Sequence, residues 1–289
     1  MVVLFTDTDT DMTPKVAAKY GYNLISMPYS IDGKTTYPYV DFDEFDGHAF
    51  YDELRGGTLP NTSAISTDQY VEYFEPHFAA GNDIFYVHFS RAMTITFDNM
   101  DEALKILKEK YPERKFYSVD TKAITTLSYA LVLEIGELFN AGKTPEEVLE
   151  WASTEVDRFA LYFFADDLKF FKHSGRVSGI AGTMGTLLGI RPIIHMSSEG
   201  KMEAFGKEKG RAKAIARLIS IVEEIGDDVK NHRILIGHSD APELVEEFTA
   251  ALKAKFGDDI QYEVVMVNPT AGSHCGPNGL GICFHAKHR

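Results

Sequence analysis

With 289 residues, 44% of them hydrophobic and 25% charged, the chain has room for two domains and the composition of an ordinary globular protein. Its formal net charge of -14 excludes nucleic acid and an anionic membrane surface as principal partners, because both demand clustered Lys and Arg to displace counterions. The N-terminal MVVLFTDTDTDM has no basic leader, no stretch approaches the ~18 apolar residues of a bilayer span, and Cys275 and Cys283 form no CxxC pair, so a cytoplasmic protein with reduced thiols and no stable membrane insertion is expected.

Val2 to Phe5 is a short apolar run that suits a buried parallel strand, and Thr13-Pro14 followed by Gly21 brackets a helix. Asn23 to Ile31 and Thr35 to Tyr37 are extended segments around the turn Asp32-Gly33, and Phe42, Phe45, Phe50 and Leu54 follow at roughly helical spacing up to Gly56-Gly57. The polar loop LPNTSAIST, Leu59 to Thr67, ends in the capping box Ser66/Gln69, which starts a helix to about Ala80 and places hydroxyls near a helix N-terminus suited to an anion. Ile84 to Phe89 is the next strand, followed by the turn SRAMT and a helix to Lys110. Lys115 to Val119 is a further strand, Leu127 to Phe139 a helix apolar on more than one face, and Thr144 with Glu147 a second capping box. This β-α alternation predicts a doubly wound parallel sheet.

The texture changes after Asp157. An aromatic strand, RFALYFFA, leads into DDLKFFKHSGRVSG and the glycine-rich GIAGTMGTLLGI. A strand at Pro192 to Met196, a hairpin at Glu199-Gly200, a helix over 212–225, a strand at Ile234 to Gly237, a helix capped by Asp240, and a strand at Tyr262 to Val267 follow. The last segment, Thr270 to Phe284, reads as a strand with a glycine-rich lead-in. The fold class is therefore α/β with two domains: residues 1–157 a three-layer domain around a parallel sheet, and residues 158–289 an α/β domain with a mixed sheet.

Several motifs suggest chemistry in isolation. Asp7, Asp9 and Asp11 are spaced as a calcium loop begins, but Met12 and Ala18 occupy its glycine and closing-glutamate positions. The same carboxylates after a strand resemble the paired aspartates of haloacid-dehalogenase-type phosphatases, with Asp7 and Asp9 in the reacting roles and Asp166-Asp167 as metal carboxylates. Against this stands a polar turn whose carboxylates cap backbone N–H groups. Ala141 to Thr144, AGKT, lacks the first glycine and the strand of a phosphate loop, and Gly179 to Gly185 has the wrong spacing for a dinucleotide fingerprint. The ten histidines are scattered, so no metal site is expected. His274 and Cys275, adjacent in a strand, would point to opposite faces, which leaves Cys275 to pack as a small apolar residue. Arg176 offers a fork of donors suited to a carboxylate or phosphate, or is a surface arginine on a tight turn.

Taken together, TDTDTDM at Thr6 to Met12, NTSAIS at Asn61 to Ser66, SGRVSG at Ser174 to Gly179 and GSHCGPNGLG at Gly272 to Gly281 resemble the DegV family of bacterial fatty-acid-binding proteins. The resemblance implies two α/β domains holding a long-chain fatty acid between them, with the carboxylate presented to a separate fatty acid kinase and with no catalysis and no cofactor of the chain's own. By position, Thr62, Ser63, Thr94 and His274 would contact the carboxylate, and Arg176 the carboxylate or the kinase. The chain departs from the family pattern at Ala64 and Ile65 in the first loop, Arg91 and Ile95 in the second, and Asn278 in the last. The alternatives are the metal-dependent phosphatase and a sensor or carrier of another small amphiphile.

Overall fold

The computed structural model describes residues 1–176 and 189–289. The first half runs β1 (Val2–Asp7), α1 (Pro14–Tyr20), β2 (Tyr22–Ile25), β3 (Tyr29–Ile31), β4 (Lys34–Thr36), α2 (Gly47–Arg55), β5 (Asn61–Thr62), α3 (Thr67–Ala79), β6 (Asp83–His88), α4 (Thr96–Lys110), β7 (Phe116–Asp120), α5 (Thr125–Asn140) and α6 (Pro145–Glu155). Strands β2-β1-β6-β7 form an all-parallel sheet, as alternating strands and helices require. Both capping boxes form: Ser66 Oγ accepts from Gln69 N at 3.2 Å, and Thr144 Oγ1 from Glu147 N at 3.3 Å. Thr13 caps α1, and Gly21 ends it in the left-handed region at φ 73°.

The parallel sheet is covered on both faces. On one, Tyr70 and Phe74 of α3 pack with Phe97, Met100 and Leu107 of α4. On the other lies α5, whose Leu127, Leu131 and Ile135 are each 0% exposed. Burial of each such side chain contributes ~1.5–3 kcal/mol.

The second half runs β8 (Phe159–Phe164), α7 (Lys169–His173), β9 (Ile190–Met196), β10 (Met202–Lys209), α8 (Arg211–Ile225), β11 (Leu235–His238), α9 (Pro242–Phe256), β12 (Glu263–Met266), α10 (Pro269–Cys275) and β13 (Leu280–His285). Its mixed sheet has the order β10-β9-β8-β13-β11-β12, in which only β11 and β12 are parallel. Leu161, Leu235 and Cys283 of this sheet join the same core as α5. Helix α5 is thus sandwiched between the two sheets, which is why its sequence is apolar on more than one face. The C-terminal Arg289 adds a suture, donating from Nη1 to Lys122 O at 2.7 Å and from Nη2 to Val156 O at 2.7 Å.

Four local readings are corrected. Thr270 to Cys275 lies in a helix, α10, because Asn268 caps it by accepting from Ala271 N at 2.9 Å and Pro269 stands at its first position. Part of the loop from Leu59 to Thr67 is a strand, β5, which joins the β3/β4 hairpin in a small antiparallel sheet. Helix α2 begins only at Gly47, with Asp46 as its cap, so Phe42 and Phe45 precede it. Asp240 does not cap α9; its carboxylate is taken by Arg55 instead. The last three residues of SGRVSG and the glycine-rich GIAGTMGTLLGI up to Leu188, Gly179 to Gly185 included, lie outside the described residues.

Candidate functional site

Between loops of the first half and strands β8, β11 and β13 of the second, a cavity of about 570 Å³ opens, within the usual range for a small-molecule site of roughly 300–1,000 Å³. Its walls are mostly apolar: Leu161, Phe163 and Phe164 come from β8, Leu280 from β13 and Met202 from β10. Gly281 lies between β8 and β11, where a Cβ would come 2.7 Å from Phe163 Cβ, so a close strand approach shapes this wall.

All five residues singled out in the sequence, Thr62, Ser63, Thr94, Arg176 and His274, line this one cavity. Thr62 is positioned by β5 and His274 by the last turn of α10, and Thr62 Oγ1 lies 3.1 Å from His274 Nε2. His274 Nδ1 is buried and has no partner among the described residues. Burial, reinforced chiefly by the positive charge of Arg176, depresses the His274 pKa to about 3. The imidazole is therefore neutral at physiological pH, with one N–H: when the Thr62 hydroxyl donates to Nε2, Nδ1–H is the group offered to a ligand.

Ser63 is exposed and Ile95 is 69% exposed, so both lie at the cavity rim. Thr94 Oγ1 accepts from Thr96 N at 3.1 Å, and Arg176 Nη1 donates to Ser174 O at 2.7 Å. The departures from the family pattern are accommodated individually. Arg91 pairs with Asp101 and Phe97 O on α4 and does not line the cavity. Ile65 is fully buried, and its N–H donates to Thr96 Oγ1 at 3.0 Å, which braces the first loop against the second. Asn278 adopts φ 63°, a left-handed conformation that Asn tolerates better than most residues, and its Oδ1 accepts from Arg55 Nη2 at 3.2 Å.

Cys275 also lines the cavity; burial pushes its thiol up to about 12, so it stays protonated and packs beside Phe171, as expected of a small apolar residue. It does so from a helix, not a strand. Cys283 is buried, and both thiols are free.

The aspartates of TDTDTD are nearly all enclosed. Asp7 accepts from Tyr86 Oη at 3.1 Å and Phe89 N at 3.2 Å and does not reach the cavity. Asp166 is paired with Arg191 at 2.6 Å. A nucleophilic Asp7 and a metal-holding Asp166 are therefore not favoured by the geometry. A second cluster, His48, Asp52 and Asp240, has ligand atoms within 4.8 Å of one another, but Arg55 Nη1 donates to both carboxylates at 2.6 Å, and the group is a salt-bridged joint between α2 and the second half. AGKT merely connects α5 to α6.

Sequence reasoning named Asp9 only for a phosphatase, and it missed other cavity residues: Thr125 and Thr126 at the head of α5, and His238 and Ser239 at the end of β11. The available signal was positional, since crevices of α/β folds form at the carboxyl ends of strands and at the loops that follow them.

The model of the family described as "Uncharacterised protein, DegV family" matches residues 1–287. A DegV domain-containing protein of Clostridium perfringens is 30% identical over 283 residues, covering 98% of this chain and 96% of its own length. Among solved structures, one described as fatty acid binding of a DegV family protein from Thermus thermophilus superposes with a TM-score of 0.86 at 22% identity over 99% of both chains. The Streptococcus pneumoniae Fatty Acid Kinase (Fak) B3 protein, loaded with linoleic acid, gives 0.83 at 17% identity, covering 99% of this chain and 100% of that one. At these identities the structural likeness establishes the fold.

Proposed function

The chain belongs to the DegV family, and from that premise we propose that it binds one long-chain fatty acid between domains 1–157 and 158–289 and presents the carboxylate to a separate fatty acid kinase. The observation that carries this reading is one cavity whose lining joins an apolar wall from the mixed sheet to hydroxyls, a neutral imidazole and a guanidinium. A carboxylate leaving water needs hydrogen bonds or an opposite charge, and Ser63, Thr94, Arg176 and the Thr62–His274 pair, which together keep one donor for the ligand, are the groups proposed to supply them. Each methylene buried contributes about 0.8 kcal/mol, so a 16-carbon tail contributes roughly 11 kcal/mol before ordering costs. The tail supplies affinity and the polar end supplies orientation.

The exposed Ser63 and Ile95 at the rim favour a head group near solvent, where a partner's active site can reach it. The Thermus neighbour's fatty acid binding and the Streptococcus neighbour's kinase name support the same role here. In this reading the chain is a non-catalytic, cofactor-free subunit. Among the described residues no helix is long and apolar enough to cross a membrane, and a cytoplasmic location is part of the proposal.

Mass spectrometry of an organic extract of purified protein tests it. One fatty acid per chain is expected; an empty protein that also fails to take up added fatty acid would remove the reading. Adding a fatty acid kinase and ATP to the loaded protein then separates presentation from storage, since only presentation yields acyl phosphate.

A further inference from the structure

Asp7, Asp9 and Asp11 alternate along one buried segment, and two of them have structural partners. Asp7 holds Tyr86 and the Phe89 amide. Asp11 Oδ1 accepts from both N and Nδ2 of Asn268, at 2.9 and 2.8 Å, and so fastens the segment to the cap of α10. Asp9 is different. It is 5% exposed, it lines the cavity, and it makes no side-chain hydrogen bond among the described residues; Asp7 Oδ1 and Asp11 Oδ2 are also buried without a partner, as Asp9 Oδ1 is, but the other oxygen of each is held by protein donors.

Its place is set by a chain of bonds. Neighbouring Thr8 accepts from Met27 N at 2.9 Å through Oγ1, and Thr270 Oγ1 donates to Met27 O at 2.7 Å. Thr270 stands four residues before His274 on α10, so the two share a helix face. These bonds hold the segment that carries Asp9 against the start of α10, and Asp9 and His274 line the same cavity and both feel the Arg176 guanidinium. An ionised carboxylate buried there without a donor is strongly unfavourable; it must be neutral or meet a donor brought by the ligand.

We propose that Asp9 is a further head-group residue, whose protonated carboxyl donates a hydrogen bond to the carboxylate of the bound fatty acid so that the two groups share one proton. This rests on the fatty-acid reading of the cavity. No covalent bond changes: one O–H of Asp9 is oriented onto a ligand oxygen, and when Asp9 is ionised in the ligand-free protein its proton comes from solvent.

The surroundings favour the neutral acid. Burial, then the charges of Asp7 and Asp11, push the Asp9 pKa well up, and the Arg176 guanidinium opposes them. Other titratable groups lining the cavity are His238 at the end of β11 and His274 and Cys275 on α10, and burial disfavours the charged form of each. Two carboxyl groups brought together in a buried site cannot both be ionised, so one proton stays between them. The sign follows: below the pKa of Asp9 in the free protein the affinity is flat, and above it each binding event takes up a proton, so affinity falls by about tenfold per pH unit.

The probe is oleic acid, kept below its aggregation concentration, titrated calorimetrically from pH 6 to 9 in two buffers of different ionisation heat. The wild type should take up a proton and bind more weakly at the alkaline end. Asp9→Asn, of equal size and unable to bind a proton, should take up none and lose the slope; Asp9→Thr is the second variant, and thermal melting checks that both are folded. Variants that keep a pH-dependent wild-type profile would overturn the proposal, as would a wild type that takes up no proton up to pH 9 and binds no more tightly than Asp9→Leu, which has a similar shape and no donor. So would tighter binding of oleylamine than of oleic acid that is lost in Asp9→Asn, because Asp9 would then be an anion seeking a cation. A wild type that binds no fatty acid at all defeats the cavity's assignment itself, an outcome distinct from binding that ignores Asp9.

Discussion

Replacing His274 by Ala probes the proposed carboxylate contact most directly. The imidazole is held at 3.1 Å by Thr62 through Nε2, its Nδ1 has no partner among the described residues, and it is neutral because burial depresses its pKa to about 3. Its deletion removes one donor to a charged ligand group, a contribution of ~1.5–3 kcal/mol, so the dissociation constant should rise about 10- to 150-fold. The tail term of roughly 0.8 kcal/mol per methylene is untouched, so affinity should still increase with chain length at the wild-type rate. Displacement of a fluorescent fatty acid gives the constants, with a long-chain alcohol of equal length as the control, since the alcohol lacks the carboxylate. Because a group with a pKa near 3 does not titrate between pH 6 and 9, the ratio of variant to wild-type affinity should be constant over that range. Equal losses for acid and alcohol would mean that His274 only packs, and no loss for the acid would mean that the head group lies elsewhere.

Two stability predictions follow from neighbouring residues. Burial raises Asp11 to about 7, above its unfolded value near 3.8, so its contribution is fully present below pH ~4 and is lost as pH rises through 7, at up to ~1.4 kcal/mol per pH unit. Asp11→Asn keeps the oxygen that accepts from Asn268 and should flatten the decline in melting temperature between pH 5 and 8; parallel curves for variant and wild type would refute the assignment. Gly276 has φ 70°, and a Cβ there would sit 2.1 Å from Phe170 Cδ2. Gly276→Ala should therefore lower stability by at least the ~1–3 kcal/mol of overpacking and weaken fatty-acid binding, since the turn directly follows α10; a melt identical to the wild type would show that Phe170 can give way.

What the residues determine by themselves is local. Capping boxes at Ser66/Gln69 and Thr144/Glu147, the Thr13-Pro14 start and Gly21 stop, and the apolar strand runs each depend on side chains three or four positions apart, and the structure forms them where the spacing indicates. The β-α alternation likewise predicts the parallel sheet, because parallel strands need a crossover between them. Where local signals competed, the reading failed: glycines in Thr270 to Gly276 obscured the Asn268-Pro269 helix start, and Asp240 looked like a cap although Arg55, 185 residues away, claims its carboxylate.

The site belongs to the other category. Thr62 and His274 are 212 residues apart, and nothing in either segment's periodicity places them 3.1 Å from each other. Family resemblance pointed to both, but their contact depends on β5 adding to β3 and on Asp11 fastening the cap of α10. In sequence Asp7, Asp9 and Asp11 are equivalent members of one alternating motif; packing gives Asp7 and Asp11 protein donors and leaves Asp9 facing the cavity. Propensity acts over one helical turn or one strand pair, whereas burial, and with it the charge state of a carboxyl or an imidazole, is decided by which distant segments close over it.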